Sequence, residues 1–85
     1  MTTRYRYDDR ILEALAGHGL VPQSHTPPGV LRDAVRDLYK YEIRRLRAWL
    51  LAGRIAKRDY ADHVIALRRR YPILSVPLER WTASE

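Results

Sequence analysis

The stretch VLRDAVRDLYKYEIRRLRAWLLAG, residues 30–53, decides the fold. It contains no proline and no glycine before Gly53. Leu31, Val35, Leu38 or Tyr39, Ile43, Leu46 and Leu50 recur at steps of three and four, so they line one face of a helix. Asp33 and Asp37 fall early and the arginines late, which suits the helix dipole. Asp33 with Arg36, Asp37 with Lys40 and Glu42 with Arg45 are expected as pairs three residues apart. The spacing predicts a long helix over about 30–52, ended by Gly53 in a left-handed position. Thr26 is a candidate N-cap for an earlier start, with Pro27 and Pro28 in the first turn, where a missing N–H costs little.

Working outward, "GRIAKRD" is a tight connector in which Ile55 folds back as a plug. A further helix is predicted over about 57–71, with the stripe Tyr60, Val64, Leu67 and Tyr71. The short connector makes it an antiparallel neighbour of the long helix. Pro72 is expected to end it. The tail PILSVPLERW holds Pro72 and Pro77 and shows no helical period. It is read as an extended arm, 72–85, with Ile73, Leu74, Val76, Leu78 and Trp81 as apolar anchors.

On the N-terminal side, Ile11, Leu12 and Leu15 give a short helix over about 9–16. Asp8 or Asp9 accepts from its first N–H groups, and Gly17 or Gly19 ends it. Residues 17–29 form a loop rich in proline. The expected fold is therefore all-α: one small domain with a short helix, a long antiparallel two-helix hairpin, and extended N- and C-terminal arms.

Eighty-five residues bury only about 60–65% of the chain's surface. There is no cysteine, so neither a disulfide nor a thiolate-held zinc adds stability. A partner chain or self-association would relieve that deficit. The N-terminus MTTRYRYDDR has no apolar core of a signal peptide, and the longest apolar run, AWLL at 48–51, is far short of a membrane span. A soluble, cytoplasmic protein is expected.

The net charge is +6, with a large preponderance of arginine over lysine. Between Ile43 and Arg70 nine basic residues face only Asp59 and Asp62. Such asymmetry points to an acidic partner: a nucleic acid, an acidic protein or an anionic surface.

Catalytic patterns are missing. No phosphate loop, dinucleotide fingerprint or HExxH occurs, and Ser24, Ser75 and Ser84 lie in no nucleophile elbow. Asp59 and His63 are four apart and could share one helical face, but two ligands do not make a metal site. No cofactor and no enzymatic activity are expected.

Binding chemistry is better represented. Interfaces favour Trp, Tyr and Arg, and so do their energetic anchors. Here two Trp and six Tyr stand in a chain with no Phe and one Met. Tyr39 and Tyr41 fall on different faces of one helix, and Trp49 lies off the main stripe. The expected partner-binding set is Tyr39, Tyr41, Trp49, Tyr71 and Trp81 as anchors. Arg44, Arg45, Arg47, Arg68, Arg69 and Arg70 would pair with acidic groups. The function read from these residues is a non-catalytic accessory or adaptor subunit that binds a larger protein or a copy of itself. The alternative is a nucleic-acid-binding regulator using the same arginines on phosphates.

Overall fold

The structure is a computed structural model that describes residues 4–82. Three α-helices follow one another: α1, Asp9–Gly17; α2, Pro28–Leu51; and α3, Lys57–Arg68. Two short 3-10 helices, Pro72–Ser75 and Leu78–Arg80, complete the chain. The all-α architecture with an antiparallel α2–α3 hairpin is the one the sequence predicts. The described residues form two compact units, 4–36 with 73–82 and 37–72, so α2 contributes its start to one and its remainder to the other.

In the first unit Asp8 caps α1, its Oδ1 accepting from the Arg10 N–H at 2.9 Å. Gly19 adopts φ 77°. There the Leu20 N–H donates to the Leu15 carbonyl and the Gly19 N–H to that of Ala16, at 2.9 and 3.0 Å. This double closure needs a left-handed residue, which glycine supplies without steric cost. Gly19, and not Gly17, therefore ends α1. Thr26 does not cap α2. Its hydroxyl turns backward to accept from the Gln23 N–H at 3.1 Å, and its carbonyl accepts from the Tyr7 hydroxyl. The helix starts at Pro28, whose fixed φ suits a first turn.

The C-terminal arm is wound rather than straight. Proline fixes φ near −65°, which is also the value a helical turn needs. Pro72 opens the first 3-10 turn and Pro77 immediately precedes the second. Leu78 then lies 4.0 Å from where a β-carbon on Gly29 would sit, so the arm lies against the start of α2. Tyr7 and Thr82 form an isolated antiparallel bridge, and the Asp8 N–H donates to the Trp81 carbonyl at 3.0 Å. The two arms thus hold each other. Buried Tyr7, Ile11, Leu15, Leu31, Val35, Ile73 and Trp81 make the core of this unit. Residues 83–85 of the expected arm lie outside the described residues.

In the second unit Leu46, Ile55, Leu67 and Tyr71 are buried, while Tyr39, Ile43, Leu50, Tyr60 and Val64 are half-buried. Gly53, at φ 76°, reverses the chain. The Arg54 N–H reaches the Trp49 carbonyl at 2.8 Å and the Gly53 N–H that of Leu50 at 3.1 Å, the same double closure as at Gly19. Helix α3 stops at Arg68, short of the expected Tyr71. The Arg70 and Tyr71 N–H groups bond three residues back, to Leu67 and Arg68. Proline disfavours the α conformation in the residue before it, so the chain tightens into a 3-10 turn ahead of Pro72.

Candidate partner-binding surface

The hairpin unit, Asp37–Pro72, holds ten basic residues against four acidic ones, so the chain's whole excess of +6 resides there. Its helices distribute that charge over several faces. Helical spacing of 100° per residue puts Tyr41, Arg44, Ala48 and Leu51 on the side of α2 opposite Leu46. Tyr41 is 62% and Leu51 82% exposed. Arg44, Arg45, Arg47, Arg68, Arg69 and Arg70 are all exposed. Among the described residues no carboxylate pairs with Arg44, Arg47, Arg68 or Arg69.

Two members of the expected contact set are core residues instead. Trp81 is 0% exposed, with its indole N–H donating to the Val76 carbonyl at 3.1 Å. Tyr71 is 7% exposed and stands edge-on to Tyr39, ring centroids 5.3 Å apart. Neither ring is presented to a partner, because each completes the interior of its own unit. Tyr39 is half-buried by the same pairing.

Glu42 departs from its expected pairing with Arg45. It reaches across the hairpin, where Oε1 lies 3.2 Å from the Arg70 guanidinium and Oε2 accepts from the Tyr71 hydroxyl. A carboxylate gains more by meeting a half-enclosed hydroxyl and a cation together than by one solvated neighbour on its own helix. Burial above all, then the Glu42 bond and charge, push the Tyr71 hydroxyl up to about 12, against a smaller opposing pull from Arg70. Arg45, released from Glu42, stacks over Trp49 with its guanidinium carbon 4.8 Å from the ring centroid. Cation–π stacking uses the flat face of the guanidinium and leaves its edge N–H groups available.

These side chains edge an open cavity of about 340 Å³ on one face of the hairpin. From α2 it is lined by Glu42, Arg45, Leu46 and Trp49. From α3 come His63, Ala66 and Leu67, and from the turn after it Arg70. The partner-binding set expected from the sequence includes neither Glu42, which was paired only with Arg45, nor His63 and Ala66. The signal was present: 42, 45 and 49 on one side and 63, 66 and 70 on the other share the spacing i, i+3, i+7. Asp59, Asp62 and His63 edge a shallower depression. Among the described residues no three potential metal ligands converge, and no helix is long and apolar enough to cross a membrane. No family model, no curated protein and no solved structure matches this chain.

Proposed function

We propose that this chain is a non-catalytic accessory or adaptor subunit whose α2–α3 hairpin docks on an acidic surface of a larger protein. The observation that carries this reading is the concentration of the entire charge excess in the hairpin unit, with Arg44, Arg47, Arg68 and Arg69 unmatched by carboxylates among the described residues. Guanidinium groups of this kind pair bidentately with carboxylates and steer association. The apolar exposure of Tyr41 and Leu51 favours protein over nucleic acid, since a phosphate backbone has no use for exposed leucine.

The test is capture by the tagged chain from lysate of its own cells, with and without nuclease treatment, compared with Arg44→Glu/Arg47→Glu/Arg68→Glu. One protein retained by the wild type and lost by the triple variant is expected. Retention of nucleic acid alone, falling steeply between about 50 and 200 mM salt, would establish the regulator reading in its place.

A further inference from the structure

We propose that the cavity between the hairpin helices seats an apolar side chain of an acidic amphipathic helix from the partner protein, while Arg45 and Arg70 engage carboxylates beside it. The inference rests on the adaptor reading and names the chemistry of its contact. The cavity has an apolar floor, because Leu46 and Leu67 are buried beneath it. Ala66 leaves it open, since a longer side chain there would fill it. Trp49 forms one wall and is held by Arg45. The volume of about 340 Å³ is within the range of sites that enclose a compact group.

Shape and charge together select the occupant. The lining positions at i, i+3, i+7 on both sides run parallel to the hairpin for seven residues, about 10 Å or two helical turns. A third helix laid along such a groove offers anchors at i and i+4. The mouth carries Arg45 and Arg70, whereas the single acidic lining group, Glu42, is already engaged by Arg70 and Tyr71. Arg70 spends one N–H on Glu42 and its side chain is 65% exposed, so most of its five donors face solvent. A second copy of the hairpin would bring the same +6 excess to the contact, and like charge opposes it.

The experiment is fluorescence anisotropy with a labelled synthetic helical peptide bearing two leucines four residues apart among glutamates. Comparison peptides replace the leucines by alanine or the glutamates by lysine, and a labelled mixed-sequence DNA duplex completes the set. The wild-type chain should bind the leucine–glutamate peptide. Ala66→Trp, which fills the cavity from an exposed position, and Arg45→Glu should each weaken it about tenfold, with unchanged circular dichroism. The alanine peptide should bind more weakly and the lysine peptide not at all. Equal binding of the leucine and alanine peptides, or equal binding by folded Ala66→Trp or Arg45→Glu and wild type, overturns the groove while leaving arginine-mediated docking intact. Tighter binding of the duplex than of any acidic peptide overturns both readings.

Discussion

Removing Trp81 should strongly destabilise the unit it closes rather than merely disarm a binding surface. The side chain is fully buried, and its N–H is satisfied by the Val76 carbonyl. A buried tryptophan withdraws about 150–250 Å² from water, worth roughly 4–6 kcal/mol at about 25 cal/mol per Å². The measured range for aromatic-to-alanine changes in cores is about 3–5 kcal/mol, and the lost indole bond is worth about 1 kcal/mol. Trp81→Ala is therefore expected to cost about 4 kcal/mol. An 85-residue domain has a total stability of only about 4–13 kcal/mol, so this variant loses from about a third to all of it. Trp81→Phe keeps most of the ring and should cost about 1–2 kcal/mol, lowering the melting temperature by about 5–15 °C. Urea titration followed by far-ultraviolet circular dichroism measures both without relying on tryptophan emission. A Trp81→Ala chain within about 1 kcal/mol of the wild type would falsify the assignment of Trp81 to this chain's own core.

Alkaline pH should destabilise the hairpin through Tyr71. Its folded-state pKa is raised to about 12 from the ordinary tyrosine value of about 10, so its contribution is complete below pH 10 and is lost as pH climbs towards 12, at a cost of roughly 1–3 kcal/mol. Tyr71→Phe should flatten that loss between about pH 10 and pH 12 in urea titrations, and identical slopes for variant and wild type would contradict it; Tyr7, also raised by burial and then by Tyr5, contributes to both chains alike. Gly53→Ala should cost about 1 kcal/mol, purely as backbone strain at φ +76°, because nothing lies within 4 Å of the added carbon. An unchanged urea midpoint would show that the left-handed turn is not needed.

The sequence by itself determined the helices and the reversal between them. Apolar residues at steps of three and four can be satisfied only by a helix with one buried stripe, and Leu31, Val35, Leu46 and Leu67 are buried as that stripe requires. Gly53 was legible for an equally local reason, since a left-handed turn excludes most side chains. The charge asymmetry of the hairpin is likewise a property of composition.

Tertiary structure alone decided the partners of individual side chains. Glu42 has Arg45 one turn away along the chain, yet it serves Arg70 and Tyr71, which lie 28 and 29 residues distant. No local rule sees that distance, because the choice depends on which groups are dried by packing. The same holds for Trp81: composition marks it as an anchor, but only the folded path of two 3-10 turns and the Tyr7–Thr82 bridge brings it into the core. The cavity is the last such case. Its residues sit at a regular spacing in the sequence, but they become a groove only where two antiparallel helices meet and Ala66 leaves space between them.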